Sequence, residues 1–393
     1  MRAKNVALLD IGSSKIDLIY GSSRGSSTDV VASSSFAYPG FSNGQFFEVD
    51  SLTNIVLDLI EQVESRTGKQ LKKLYIAVPG EFTNVEVKKY TDRFNRPRPV
   101  VHSDLDRLLE RAELSSDTND YVNINTSLIG FDADSYRPID ARSMDDVVTR
   151  SITATVSCIM CARYFVDIFD NILSTTRIRE VKYLSASLAE GLYLTSQKER
   201  DKGVLLCDIG YLTTTVMYVK GNGLANMCSF SLGGAHIIGD FVMAYNMDFK
   251  SADNLYDKVN LKVIPKGFED YHVTTTAGIQ KYSMNDVNNI TFDRLDMIVD
   301  YIKKCITVFG DDVGQFVPVF FTGGGIATCK GAIEYVAYNV GRKYDIRRPN
   351  IAQYNYPWCS SLISSLDMAS GIEEESHVIN KFVNKLFGGA RNG

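Results

Sequence analysis

Two stretches of this chain carry the same hydrophobic signature, about half a chain apart. Residues 8–21 read LLDIGSSKIDLIYG and residues 205–221 read LLCDIGYLTTTVMYVKG. Each passes from an apolar strand through Asp-Ile-Gly and a hydroxyl-rich turn into a second apolar strand that ends on glycine. The pattern predicts two β-hairpins of one design, the first over residues 5–21. Between them, apolar residues at Leu52, Ile55, Val56, Leu59, Ile60 and Val63 recur at helical spacing. Lys73–Val78 is a compact strand that stops at Pro79-Gly80.

The pattern changes over residues 81–160. Two short strands are expected to flank a polar loop, Thr91–Pro97. A helix is expected from Ser103, with Asp104 and Asp106 in its first turn. Strands over Tyr121–Phe131 and Thr149–Cys158 complete what reads as a small α+β module inserted into the first lobe. Helices around Phe165–Leu173 and Ser185–Thr195 lead to the second hairpin. After Ser231-Leu232-Gly233-Gly234 come helices to about Phe309. A strand at Val317–Phe321 then feeds Gly323-Gly324-Gly325, with a helix expected over Ala327–Val340.

The tail has a pattern of its own. Val378, Ile379, Phe382, Val383, Leu386 and Phe387 share one helical face, and Asn380, Lys381, Asn384 and Lys385 the other. Glu373-Glu374-Glu375 reads as a solvated break before it. Ten helical residues span about 15 Å, too short to cross a bilayer and suited to lying in its interface. A last helix docked on the body is the alternative. Burying six such side chains has an upper bound of roughly 9–18 kcal/mol. Partial insertion and helix formation reduce it, so one tail binds weakly and a row of tails on a polymer binds firmly.

At 393 residues the chain is long enough for two or three domains. A net charge of −5 gives no electrostatic footprint for nucleic acid. No secretory signal pattern opens the sequence and no apolar run reaches bilayer length, so a cytoplasmic protein is expected. The seven cysteines show no framework, and Cys158-Ile159-Met160-Cys161 lies in an apolar segment that favours buried thiols over a metal or redox pair. The four histidines, His102, His236, His272 and His377, are too dispersed to suggest a metal set.

Chemistry concentrates in the hairpin turns. Gly12 lets a ligand approach the backbone, Ser13 and Ser14 add donors, and Lys15 adds positive charge, which suits phosphate. Asp10 and Asp208, at equivalent strand ends, are placed to hold a cation through water. Gly323, Gly324 and Gly325 offer bare backbone between a strand and a helix. Two such hairpins with a later strand-GGG-helix read jointly as a nucleotide clamp.

These residues resemble the actin/Hsp70/sugar-kinase superfamily and, within it, the FtsA family of bacterial actin-like cell-division proteins. The likeness spans nearly the whole chain, through DIGSSK at 10–15, LTSQKERDKGVLLCDIG at 194–210, SLGGAHIIGDF at 231–241, FTGGGIATCKGAIEYV at 321–336 and the inserted module. It implies an α/β, two-lobed actin-like (ribonuclease H-like) fold with an inserted α+β subdomain and a C-terminal amphipathic helix. The first lobe (subdomain IA) would comprise 1–80, 161–202 and 351–372, and the insertion (IC) 81–160. The second lobe would comprise 203–245 with 315–350 (IIA) and 246–314 (IIB), followed by a linker and membrane-targeting helix over 373–393.

The resemblance further implies ATP and Mg²⁺ as ligands. Asp10 and Asp208 would order Mg²⁺ through water. Gly12, Ser13, Ser14 and Lys15 would meet the phosphates from one side, and Gly210, Thr213 and Thr214 from the other. Gly234 and Gly323–Gly325 would lie near the adenosine, and Asp253 would reach the ribose. Val378, Ile379, Lys381, Phe382, Val383, Lys385, Leu386 and Phe387 would bind membrane lipid. Implied partners are the C-terminal peptide of the tubulin-like protein FtsZ at subdomain IIB, further copies of the chain in a head-to-tail polymer, and other division proteins. The implied location is the inner face of the cytoplasmic membrane at the division site.

The family pattern is not complete. D-I-G-G-G-T-T-D becomes Asp208-Ile209-Gly210-Tyr211-Leu212-Thr213-Thr214-Thr215, which puts bulky residues where a γ-phosphate would lie. A-E-x-x-K becomes Ala252-Asp253-Asn254-Leu255-Tyr256, without the lysine. Both departures favour binding over turnover, with at most a weak ATPase. Two rival readings stand: a non-polymerising adaptor like the pilus-assembly protein PilM, and a phosphotransferase of the same fold, for which no sugar-site base is visible.

Overall fold

A computed structural model describes residues 4–24, 27–38, 40–133, 138–139, 147–275 and 278–387; the side chains of residues 23–28, 138–139 and 374–387 lie outside the description. The first lobe opens with an antiparallel meander, β1 (Lys4–Ile11), β2 (Lys15–Arg24) and β3 (Ser27–Ala37). A two-stranded ribbon, β4 (Phe41–Ser42) and β5 (Gln45–Phe46), leads into helix α1 (Val49–Thr67) and strand β6 (Lys73–Val78). The insertion holds β7 (Thr83–Pro99), α2 (His102–Leu114), β8 (Tyr121–Ala133), β9 (Pro138–Ile139) and β10 (Val148–Ala162). Helix α3 (Arg163–Ser174), β11 (Glu180–Ser185), α4 (Ala186–Leu194) and α5 (Gln197–Lys202) return the chain to the centre.

The second lobe repeats the design with β12 (Val204–Ile209), β13 (Thr214–Lys220) and β14 (Gly223–Phe230). Helices α6 (Gly234–Tyr245) and α7 (Phe249–Tyr256), the hairpin β15 (Asp270–Thr275) and β16 (Gly278–Ser283), and the long helix α8 (Met284–Val308) follow. Strand β17 (Val319–Thr322), helix α9 (Ala332–Val340), strand β18 (Tyr344–Ile346) and helix α10 (Ser360–Phe387) end the described chain.

The two main sheets have matching orders, β3-β2-β1-β6-β11 and β14-β13-β12-β17-β18. In each, three antiparallel strands are extended by two parallel ones. Strand alternation divides their side chains between faces. Leu9, Leu18 and Ile76 bury against α1 and α3 on the outer face of the first sheet, and Val6, Leu8 and Ala77 against Leu362, Ile363 and Leu366 of α10 on its inner face. In the second sheet, Leu205, Cys207 and Val216 meet α6, α8 and α9 outside, while Val204, Leu206 and Met217 meet Leu188 and Leu194 of α4 inside. Helices α4 and α10 therefore fill the space between two sheets whose strand ends converge.

Four local expectations change. Residues 91–97 form no loop: β7 continues through them, with Thr91–Arg93 paired to β10 and residues 94–97 carried as an unpaired bulge opposite the register shift at Thr149–Ser151. Its Tyr90 and Phe94 alternate inward onto the core beneath α2. Helix α2 begins at His102, with the Asp104 carboxylate accepting from the Val101 amide at 3.1 Å. Helix α9 begins at Ala332, because residues 323–331 turn tightly to bury Ile326 and Cys329. The acidic triplet at 373–375 is no break, since α10 continues through it. Glu373 pairs with Lys73, accepts the Tyr75 hydroxyl at 2.5 Å and gives its own carbonyl to Lys4 at 2.9 Å. Cys158 and Cys161, three apart on β10, face different cores, so they cannot share a metal.

Candidate functional site

The C-terminal ends of β1 and β12 open into a cleft between the lobes, of about 250 Å³, just below the ~300–1,000 Å³ typical of small-ligand pockets. The two turns that enter it share a geometry: the Gly12 amide donates to the Lys15 carbonyl at 3.0 Å, and the Gly210 amide to Thr213 at 2.8 Å. Asp10 and Asp208 precede them at equivalent positions and line the same cavity. Gly12, Ser13, Ser14, Lys15, Gly210, Thr213, Gly323 and Gly324 also line it. At Gly323, φ is +99° and a Cβ would strike the Asp208 carboxylate, so glycine is required there on both counts.

The acids are poised by burial. Asp10 is 7% exposed. Loss of solvent pushes its pKa up to about 7, opposed by a 2.7 Å hydrogen bond from Ser361 and aided by the charge of Asp17. Burial likewise pushes Asp208 up to about 6. Glu190 of α4, at the same floor, is held well above the carboxylate range by burial and then by the Asp208 charge. Burial works against the Lys15 ammonium, but Asp17 at 2.9 Å and Asp10 outweigh it and hold its pKa above the ordinary lysine value. The cleft thus has donors on its two rims and three carboxyls on its floor.

Not every expected residue reaches the cleft. Thr214 is fully buried and donates to the Leu232 carbonyl at 2.6 Å. Its neighbour Thr215, paired across the sheet with Asp208, lines the cleft in its place. Gly234 and Gly325 lie behind the second turn, with amides donating to Gly210 at 3.1 Å and Ile209 at 2.8 Å. Asp253 is exposed on α7, near enough to Tyr211 to raise its pKa after burial has done so. Tyr211 lines the cleft, whereas Leu212 turns from it toward Gly40, and its amide donates to Ser13 Oγ at 3.1 Å. Leu212 therefore bridges the lobes. The side chains expected to bind membrane, Val378 to Phe387, lie outside the described residues.

Sequence reasoning missed Glu190, Thr215, Trp358, Ser360 and Ser361. An acid within the apolar run Ala186–Leu194 was a readable signal for the first. Period-two alternation from Asp208 was one for the second. Trp358 covers Gly324 and stacks on Tyr356 with centroids 4.4 Å apart, a contact that no local pattern announces. Among the described residues, no three His, Cys, Asp or Glu side chains converge closely enough to ligate a metal directly.

Paired hairpin turns at the converging ends of two sandwiched sheets define an actin-like fold. Solved structures agree. The PilM–PilN type IV pilus biogenesis complex aligns with a TM-score of 0.60 at 13% identity, covering 93% of this chain and 97% of that one. MreB5 of Spiroplasma citri bound to AMPPNP aligns with a TM-score of 0.53 at 12% identity, covering 98% and 99%.

No family model matches the chain. In sequence it is similar to the cell division protein FtsA of Bacillus subtilis (strain 168), 23% identical over 336 residues, covering 81% of this chain and 73% of that protein. It is also similar to the cell division protein FtsA of Streptococcus pneumoniae serotype 2 (strain D39 / NCTC 7466), 21% identical over 377 residues, covering 93% and 80%. The likeness to FtsA read from the motifs thus extends over most of the chain.

Proposed function

We propose that this protein is an FtsA-like component of bacterial cell division that binds ATP with Mg²⁺ between its lobes. In this reading it assembles head to tail and holds FtsZ at the cytoplasmic membrane through its C-terminal helix. The observation that carries the proposal is the pair of equivalent Asp-Ile-Gly turns facing one cavity. Amides and hydroxyls of Ser13, Ser14 and Thr213, with Lys15, supply donors for phosphate oxygens, and Gly12 leaves room for them to approach the turn. Mg²⁺ keeps much of its water shell and favours octahedral oxygen ligation. The carboxyls of Asp10, Asp208 and Glu190 on the cleft floor fit such an ion through water. When bound, the ion would neutralise phosphate charge.

Membrane attachment rests on the tail sequence and on the course of α10. The helix continues for 14 residues (387 minus 373) past Glu373, the last of its residues whose side chain is described, or about 20 Å at 1.5 Å per residue. Among the described residues no helix is long and apolar enough to cross a membrane, which leaves an interfacial role open to this one. Truncation after Glu375 is expected to abolish flotation with anionic liposomes while the body stays folded by circular dichroism. Undiminished flotation overturns the tether. FtsZ binding is assigned to residues 246–314 by likeness, and exposed Ile264, Phe268 and Ile279 there offer an apolar surface for a peptide.

A PilM-like adaptor is the second reading, favoured by the TM-score of 0.60 to the pilus complex. Electron microscopy with ATP and lipid separates the two: filaments support the first, and single particles throughout support the second.

A further inference from the structure

Glu190 stands where hydrophobic patterning calls for no acid. Its helix packs Ala186 into the core of one sheet and Leu188 and Leu194 into that of the other, and the next residue, Gly191, abuts Val219. Glu190 is only 2% exposed. No lysine or arginine pairs with it among the described residues; the Ser360 hydroxyl hydrogen-bonds its carboxyl, but its Oε1 atom is shielded from solvent without a partner. A buried carboxyl with an unanswered acceptor is unfavourable unless something outside the chain supplies the donor.

The surroundings identify that donor. Glu190 lines the cleft beside Asp10 and Asp208, and the charges of both act on it. The cleft rims offer N–H and O–H groups to an anion, while the floor gathers three carboxyls, with the Ser360 and Ser361 hydroxyls turned to two of them. Free polyphosphate satisfies the rims and is repelled by the floor. A hydrated divalent cation satisfies the floor, because every water in its shell donates two hydrogens and the ion supplies opposing charge.

We propose that Glu190 is a third acid of the cation site, accepting hydrogen bonds from the water shell of the divalent ion that accompanies the nucleotide. It rests on the nucleotide reading given above and adds to it a residue and a specificity: the cleft selects the cation–nucleotide complex over the free nucleotide. Glu190 acts here as a positioning residue, touching neither phosphate nor metal directly.

The single tryptophan, Trp358, lines the same cleft, so its fluorescence reports occupancy in the unlabelled full-length protein. ATP is titrated at a series of Mg²⁺ concentrations and in EDTA, and Mn²⁺ binding is followed in parallel by electron paramagnetic resonance. The wild-type protein is expected to bind ATP at least tenfold more tightly with Mg²⁺ than without. Glu190→Gln is expected to bind ATP in EDTA at least as tightly as wild type, to lose most of the Mg²⁺ enhancement and to release Mn²⁺ more readily. An enhancement within twofold of wild type in Glu190→Gln overturns the role of Glu190 and leaves the nucleotide reading intact. Absence of ATP binding by the wild-type protein under every condition overturns both. Should Glu190→Gln fail to fold, Glu190→Asp, which keeps the charge and withdraws it by one methylene, is read instead. A several-fold loss of enhancement supports the proposal, and an unchanged value overturns it.

Discussion

Gly234→Ala and Gly325→Ala are each expected to destabilise the second lobe by about 3–5 kcal/mol, the severe end of single substitutions. Three backbone segments meet behind the second turn. The Gly234 amide donates to Gly210 at 3.1 Å, and the Gly325 amide donates to Ile209 at 2.8 Å. A Cβ on Gly234 would fall inside the envelope of the Gly325 carbonyl oxygen, and one on Gly325 inside that of Gly210. Both obstacles are backbone, held by a sheet and a helix start, and cannot swing aside as a side chain would. Neither glycine has positive φ, so the expected loss is steric and not conformational. Gly239, in the middle of α6, is the control, with nothing within 4 Å of its Cβ position. Gly239→Ala is expected to be neutral or to stabilise by up to about 1 kcal/mol. Urea unfolding of the three variants checks the set. If Gly234→Ala and Gly325→Ala unfold within 1 kcal/mol of wild type, the backbone cluster is not as tight as described.

Asp104→Ala is expected to loosen the insertion by about 2–4 kcal/mol, less than the loss of one member of a fully buried pair because both partner arginines reach water. Asp104 is 1% exposed and holds three groups together. It accepts two hydrogen bonds from Arg98 at 2.7 and 2.8 Å and one from Arg107 at 2.7 Å, and it caps the start of α2 through the Val101 amide. The Arg98 hydrogen bonds lead in holding its pKa below the usual 3.8. The unfolded chain therefore binds the proton more readily than the folded one. The contribution is complete above the unfolded value and is lost as pH falls through the lower folded value. Hydrogen exchange in α2 and β7 is expected to accelerate at neutral pH in Asp104→Ala, and in wild type only below about pH 4. Identical exchange in the two proteins at pH 7 removes Asp104 as the keystone of this module.

How far each feature could be read in advance depended on the range of the interactions that create it. The paired turns were legible because a hairpin with a glycine at its bend is written in adjacent residues. The helix at 52–63 and the strand at 73–78 carried their periods openly. Residues 91–97, rich in Arg, Asn and Pro, read as a loop, whereas β10 pairs with residues 91–93 and again with 98–99 and so holds the stretch between them extended as a bulge. Thr214 and Thr215 could not be ranked from composition, and only the register with β12 decides which of them faces Asp208. The break expected at 373–375 vanished because Lys73 and Tyr75, about 300 positions away, neutralise and hold Glu373.

By itself the sequence determined the duplicated Asp-Ile-Gly turns, the insertion into the first lobe, the amphipathic tail pattern and the likeness to FtsA. All of these are set by local spacing and residue type. The tertiary structure alone decided that Glu190 joins the two aspartates, that Leu212 bridges the lobes instead of crowding the cleft, and that Trp358 covers Gly324. Those outcomes depend on which faces two sheets and two intervening helices turn toward each other, and such packing is fixed by contacts between residues far apart in the chain.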